Sequence, residues 1–354
     1  MLELWNRRSL SLLLGRKNGV QRLQLIQDWL AGLFPSRAFS LAPASADASF
    51  RRYFRVTFDD SETAGETRIV MDAPPQHEDC RPFLHVTAVF GATGAHVPRV
   101  LAQDLAQGFL LLSDLGSTTY LSALHAGNAD ALYQAATDAL IQIQSASRPG
   151  VLPDYDRALL KRELDLFPEW YLGRHLDIKL NERQRVELDA VFERILAVNL
   201  AEAKVYVHRD YHSRNLMVSE PNPGVLDFQD AVYGPISYDL ASLFKDAYIE
   251  WEEAQLLDWL VRYWTAARAA GLPIPPDFAE FHRNYEWMGV QRHIKVLGIF
   301  ARLMHRDGKN GYLKDMPLVF KYLRAACERY RELGPLLRLL DQIETRDVRI
   351  GYTF

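Results

Sequence analysis

Cysteine is scarce in this chain: Cys80 and Cys327 are the only two in 354 residues. Two distant cysteines build neither a disulfide framework nor a metal-ligand spacing, and a reducing cytoplasm is the compartment expected. No apolar run approaches the ~20 residues of a membrane-spanning helix. The run from Leu10 to Leu14 is shorter than the roughly 7–15 residues of a signal-peptide core, so residues 1–19 read as an N-terminal extension. An excess of one charge is also missing. With 41 Lys and Arg against 45 Asp and Glu, the net charge of −4 offers no electrostatic case for nucleic acid as a partner. Repeats and low-complexity tracts do not occur. What is present, 48% hydrophobic and 24% charged residues, is the composition of a soluble globular protein. The length exceeds one ordinary core, and two domains are expected.

Hydrophobic periodicity divides the chain by texture. Leu23, Ile26, Leu30 and Leu33 lie at helical spacing and predict a helix over 20–33. Strand-like alternation follows at 49–58 and 67–71, joined by the polar "DDSETAGE" turn, then at 97–101 and 108–112. A helix over 82–90, with Pro82 in its first turn, separates the two pairs. Beyond residue 115 the pattern is helical: 118–124, 129–145, 157–172, 182–200, 252–270, 278–303, 317–332 and 335–345. The expectation is an α+β chain with a strand-rich lobe over 20–115 and a mainly helical lobe over 116–354.

The helical pattern is interrupted at 205–243, where the chemistry concentrates. Lys204–Val207 reads as a strand into a loop, and Asn215–Val218 as a strand leaving it for the "SEPNPG" turn. The returning strand Gly224-Val225-Leu226 delivers Asp227 beside Asn215. His208-Arg209-Asp210, with Asn215 five residues after the aspartate, has the spacing of the protein-kinase catalytic loop, and Asp227-Phe228-Gln229 stands where those enzymes have Asp-Phe-Gly. Phosphoryl transfer requires positioning and charge neutralisation rather than covalent work by the protein. Asp210 would orient or accept the proton of an attacking hydroxyl. Asn215 and Asp227 offer hard oxygen donors suited to Mg²⁺ bound together with nucleotide phosphates.

Departures from protein kinases narrow the reading. His212 and Ser213 follow the aspartate, no Ala-Pro-Glu motif occurs, and "LDFQDAVYGPISYDLASL" replaces the activation segment. This pattern resembles the aminoglycoside phosphotransferase family, small-molecule kinases of protein-kinase-like fold. The stretches "DASFRRYFRV", "VMDAPP", "LLLSDLG", "HRDYHSRNLM" and "QRHIKVLGIFARL" are similar to those of bacterial kinases acting on the anomeric hydroxyl of N-acetylmuramate and N-acetylglucosamine. The resemblance implies a two-lobed fold, ATP and Mg²⁺ as cofactors, an amino-sugar substrate from cell-wall recycling, a cytoplasmic place and a monomer. It also implies that His208 and Asp239 brace the catalytic loop, and that His212, Arg214, Asp230 and Arg292 contact substrate. Two other readings stay open: a kinase for another hydroxyl acceptor such as an aminoglycoside or amino alcohol, and a non-catalytic pseudokinase that binds a partner.

On the nucleotide side a glycine-rich loop is lacking. Ala46, Asp47, Ala48, Ser49 and Phe50 occupy its place, and the small residues among them let backbone N–H groups approach phosphates. A plain turn between strands is the other reading. Ser113, Asp114 and Leu115 form the expected connector whose backbone meets the adenine edge. Val70 lies on the strand whose end should carry a phosphate-binding lysine, and Asp72 takes that place. Alternation puts Arg52 on one strand face with Phe50, Phe54 and Val56. The expectation is that Arg52 replaces the lysine and is oriented by Asp72; a surface arginine on a twisted strand is the alternative.

Overall fold

The computed structural model describes residues 21–46, 50–59 and 65–351. The expected extension over 1–19 and the candidate phosphate-cover residues Asp47, Ala48 and Ser49 lie outside the described residues. The chain divides into two compact units. The first holds the described residues up to Thr87 together with Pro98–Asp114, and the second holds Ala88–Val97 and everything from Leu115 onward.

The first unit is a helix over 21–33 (α1) and five antiparallel strands. These are β1 (Phe39–Ala46), β2 (Arg52–Phe58), β3 (Thr67–Asp72), β4 (Val100–Asp104) and β5 (Phe109–Ser113), in the order β1-β2-β3-β5-β4. Strand β1 was not expected. Its sequence carries Pro43 and five small residues among "FSLAPASA", so alternation is weak, and the ladder to β2 with a bulge at Pro43/Ser45 decides it. Ala46 ends this strand opposite Arg52. One sheet face carries Val56, Phe58, Val70, Phe109 and Leu111, closed over by Ile26 and Leu30 of α1, which form the core of the unit. Leu33, expected on that apolar stripe, is 39% exposed. Helix α2 (Cys80–Ala92) runs across the division between the units.

The second unit is mainly helical: α3 (Tyr120–Ala123), α4 (Ala129–Ser145), α5 (Arg157–Leu166), α6 (Glu182–Leu200), α7 (Tyr238–Phe244), α8 (Glu253–Ala269), α9 (Phe278–Asp307), α10 (Met316–Arg329) and α11 (Gly334–Gly351). Helix α6 opens on a reciprocal cap between Asn181 and Gln184. The helix expected over 157–172 stops at Leu166 and continues as a π-helix, Phe167–His175. Pro168 has no N–H for the α ladder, and Gly298 of α9 approaches so closely that a Cβ there would meet Leu166 Cβ at 2.5 Å. Two small ribbons carry the loop residues. Strand β6 (Lys204–Val207) pairs with β9 (Val232–Pro235), and β7 (Leu216–Met217) pairs with β8 (Gly224–Val225). Helix α9, 30 residues long, is buried through most of its middle. No helix among the described residues is long and apolar enough to cross a membrane.

Candidate active site

The catalytic loop leaves β6 through a backbone conformation that needs outside support. Arg209 sits at φ 77°, in the left-handed region that a side-chain-bearing residue adopts only under constraint. The constraint is Asp239, in the first turn of α7. Its carboxylate accepts N–H bonds from His208 at 2.7 Å and Arg209 at 3.0 Å. Complete burial pushes the Asp239 carboxyl up to about 7, against the pull of those two N–H groups. His208 braces the loop from inside. Its Nε2–H donates to the Leu226 carbonyl at 2.9 Å, and Nδ1 accepts the Asp210 N–H at 3.2 Å. Burial lowers its imidazole to about 4, which keeps the neutral ring this bonding requires.

Asn215 and Asp227 meet as the ribbon reading implied. Leu226 N–H donates to the Asn215 carbonyl at 2.9 Å, and Asn215 Nδ2 donates to the Asp210 carbonyl at 3.0 Å, with Asp227 Oδ2 3.4 Å away. Asp227, at φ 63°, also receives Gln229 Nε2 on Oδ1 at 2.8 Å. The amide nitrogen of Asn215 is used within the loop. One amide oxygen and one carboxylate so close together form a hard donor set. No group of three or more His, Cys, Asp or Glu able to hold a metal occurs among the described residues. Two protein oxygens completed by phosphate and water is the habit of Mg²⁺, and the residues fit that ion.

Positive charge gathers around Asp210. Glu163 of α5, buried, takes Arg209 at 2.5 Å, Lys295 of α9 at 3.3 Å and the Tyr155 hydroxyl. Lys295 Nζ donates to the Tyr238 hydroxyl at 2.9 Å. Burial would raise the Asp210 carboxyl, but Lys295, His212, Arg292 and Arg209 outweigh it and hold the group below the usual carboxylate range. Lys295 and Glu163 were not among the expected site residues. A lysine within the apolar run of α9 was the one signal in the sequence, and Glu163 had none.

Of the expected substrate contacts, the structure gathers three. His212 meets the Tyr248 ring edge-on at 5.4 Å. Arg214 lies 3.7 Å from the centre of that ring and 5.7 Å from Tyr312. Arg292, 3% exposed, donates Nε–H to the Ser242 hydroxyl, which in turn donates to the Arg209 carbonyl at 3.4 Å. Asp246 fixes the turn by accepting Ser213 N–H at 2.9 Å and Oγ–H at 2.5 Å. The Asp230 side chain is exposed, and its carbonyl accepts from Arg209 Nη1 at 3.3 Å.

The first unit revises the nucleotide-side expectations. Arg52 and Asp72 do pair, Nε–H to Oδ2 at 2.9 Å. They do so on the face that α1 covers, where Arg22 of α1 donates to the other oxygen of Asp72 at 2.8 and 2.5 Å. Asp72 is wholly buried between two arginines. Val70 belongs to the apolar core under α1 with no exposed surface, so its side chain is not available to a ligand. Phe50 is not on the strand face: it precedes β2, is 64% exposed and stacks on His77 at 4.7 Å. Arg51, on the opposite face by alternation, pairs with Glu78 at 3.0 Å. Ser113 ends β5, its N–H donating to the Arg99 carbonyl and its hydroxyl accepting the Arg99 N–H, both at 2.9 Å, while Asp114 holds Arg55 through two bonds of 2.6 and 3.1 Å. Leu115, buried, opens the second unit.

A strand-rich unit, a braced Asp210 loop and a paired Asn215–Asp227 define a small-molecule phosphotransferase. The model of the "phosphotransferase enzyme family" matches residues 40–273. The chain is 51% identical over 329 residues to the N-acetylmuramate/N-acetylglucosamine kinase of Pseudomonas aeruginosa, covering 90% of this chain and 96% of that protein. To the protein of the same name from Neisseria meningitidis it is 48% identical over 340 residues, 95% of this chain and all of the other. Among solved structures, a choline/ethanolamine kinase family protein from Mesorhizobium loti shares the fold, with a TM-score of 0.61 at 14% identity over 90% of this chain and 99% of that one. The chain belongs to the phosphotransferase enzyme family.

Proposed function

We propose that this protein is an ATP- and Mg²⁺-dependent kinase that phosphorylates the anomeric hydroxyl of N-acetylmuramate and N-acetylglucosamine to the 1-phosphate, in cell-wall recycling in the cytoplasm. The observation that carries the chemistry is the loop in which Asp210 stands among Arg209, Lys295 and Arg292 with Asn215 and Asp227 beside it. The named relatives carry the choice of sugar.

Asp210 orients the attacking hydroxyl through its carboxylate. A carboxyl held below its ordinary range is a feeble base, so it accepts the proton late, once bond formation to phosphorus has acidified the hydroxyl. Arg209, Arg292 and Lys295 keep that carboxylate ionised and add positive potential where charge develops on the phosphoryl oxygens. Asn215 and Asp227 would hold Mg²⁺, which when bound neutralises nucleotide phosphate charge. His212 and Arg214, with the Tyr248 ring, line the acceptor side.

The test is direct. Purified protein with ATP, Mg²⁺ and either sugar should release ADP and form a sugar 1-phosphate, identified by phosphorus NMR from its coupling to the anomeric proton. Transfer to an aminoglycoside or amino alcohol but to neither sugar would overturn the substrate assignment. Nucleotide binding with no transfer to any acceptor would favour a pseudokinase.

A further inference from the structure

The acceptor side holds buried cationic groups whose hydrogen-bonding capacity is not used. Arg292 is 3% exposed, and its Nη1 has no hydrogen-bond partner among the described residues, although Nε is committed to Ser242. Nδ1 of His212, a residue 9% exposed, is likewise buried without a partner. A guanidinium nitrogen left unpaired inside a protein is costly, and native interiors rarely keep one without use. Arg214 adds a second guanidinium, set beside the Tyr248 and Tyr312 rings rather than paired with a carboxylate.

None of the nearby acids forms a direct ion pair with Arg292 or Arg214 among the described residues. Glu163 is taken by Arg209, Lys295 and Tyr155, and Asp246 by Ser213. Asp239 is occupied by two backbone N–H groups. Asp315 stands close enough to Arg214 to feel its charge, yet Oδ2 of Asp315 is itself buried and without a hydrogen bond, so no direct pair forms. Asp210 is needed for the hydroxyl. Arg292 Nη1 and the Arg214 guanidinium therefore keep donors free for an anionic group of the ligand.

The two sugars of the proposed reaction differ in this respect. N-acetylmuramate carries a lactyl ether ending in a carboxylate, where N-acetylglucosamine has a neutral hydroxyl. We infer that Arg292 and Arg214 form a carboxylate subsite that receives the lactyl group of N-acetylmuramate and makes the acidic sugar the preferred ligand. Arginine suits the task, since its planar fork binds a carboxylate through two parallel bonds. The Tyr248 and Tyr312 rings fix the Arg214 guanidinium in place before the ligand arrives, which limits the ordering entropy lost on binding. This subsite rests on the proposed sugar specificity, and the same arginines would serve phosphoryl oxygens if that specificity were wrong.

Calorimetric titration separates these cases. The wild-type protein is titrated with N-acetylmuramate, with its methyl ester and with N-acetylglucosamine, and turnover of the two natural sugars is measured in parallel. The acid should bind about tenfold to a hundredfold more tightly than the ester, the range of a charge-assisted hydrogen bond. In Arg214→Gln and Arg292→Gln the preference of acid over ester should fall to roughly threefold or less, and Arg214→Lys should retain part of it. Equal affinity of the wild type for acid and ester would overturn the subsite, and needs no variant to fold. A variant that weakens all three ligands by one factor would also overturn it, showing that the arginine serves the loop or the phosphoryl group. Binding preference without turnover of either sugar would leave the subsite standing and sink the kinase assignment; no binding of either sugar would sink both.

Discussion

At Asp210 two opposing effects meet, burial and a ring of cations, and the cations win. The residue is thereby fitted to orient a hydroxyl rather than to deprotonate it in advance. Asp210→Asn keeps the shape but loses the final proton acceptor, and kcat should fall by about 10²–10⁴ with ATP affinity little changed. Steady-state kinetics beside nucleotide titration checks this, and near-normal turnover would remove Asp210 from the mechanism. The arginines of β2 pose a sharper question. Arg52 shares the buried Asp72 carboxylate with Arg22 of α1, so Arg52→Gln should act on stability, leaving Asp72 with one partner instead of two. Arg51, paired with Glu78 on the other face, is the better candidate for a phosphate contact. Arg51→Gln should raise the KM for ATP about tenfold or more, while Arg52→Gln should lower the melting temperature with KM within about threefold. The reverse pattern would restore Arg52 as the replacement for the missing lysine.

Among the elements, α7 and α9 do the most to hold the loop. Helix α9 passes the end of α5 at Gly298, where a Cβ would lie 2.5 Å from Leu166 Cβ and 2.6 Å from its carbonyl carbon. Backbone on one side and a branched side chain on the other leave little room to yield. Gly298→Ala should destabilise by about 1–3 kcal/mol or more through overpacking, and should loosen Lys295, one turn earlier, from Glu163. Urea unfolding measures the first effect; a stability equal to wild type would show that the contact relaxes. The junction of α6 with α7 supplies a pH dependence. Glu202, buried, accepts Ser237 Oγ–H at 2.7 Å and N–H at 3.3 Å, yet burial outweighs these bonds and pushes its carboxyl from 4.5 up to about 8. The folded state therefore holds a proton that the unfolded chain releases near 4.5. Stability from this group is full below that value and is lost as pH rises toward about 8. Thermal melts from pH 5 to 9 should show a decline in the wild type and a shallower one in Glu202→Gln, with the remainder due to Asp239, whose carboxyl is raised to about 7. Parallel curves for the two proteins would refute the assignment.

For the molecule as a whole, the proposed Mg²⁺ would serve the reaction rather than the fold. Among the described residues no cluster of His, Cys, Asp or Glu could hold a structural ion, and Cys80 and Cys327 are buried free thiols. The two units carry separate cores, one under α1 and the other around α9. Removing divalent metal with a chelator should abolish phosphoryl transfer while the melting temperature of the nucleotide-free protein moves by less than about 2 °C, a shift corresponding to about 1.5 kcal/mol at most for a chain of this size. Restoring Mg²⁺ should recover the rate. A large loss of stability on chelation would mean a structural ion that the described side chains do not suggest.

The sequence alone was enough for the catalytic ribbon, because His208, Asp210, Asn215 and Asp227 act on one another across fewer than about 20 residues and spacing carries their geometry. Long amphipathic helices such as α4 and α6 were equally legible, since a 3.6-residue period survives over many turns. Strand β1 was not, because Pro43 and a run of small residues leave no alternation, and β9 was hidden by its Gly234-Pro235. Nor could alternation say which sheet face α1 would cover, and that choice brings Arg22 to the same carboxylate that Arg52 holds. Lys295 and Arg292, two of the charges that set Asp210, come from α9, and the rings beside Arg214 from residues 248 and 312. Local periodicity encodes which face of an element is apolar; only packing decides which distant charge that face meets, because electrostatic and hydrogen-bond partners are selected by distance in space and not along the chain.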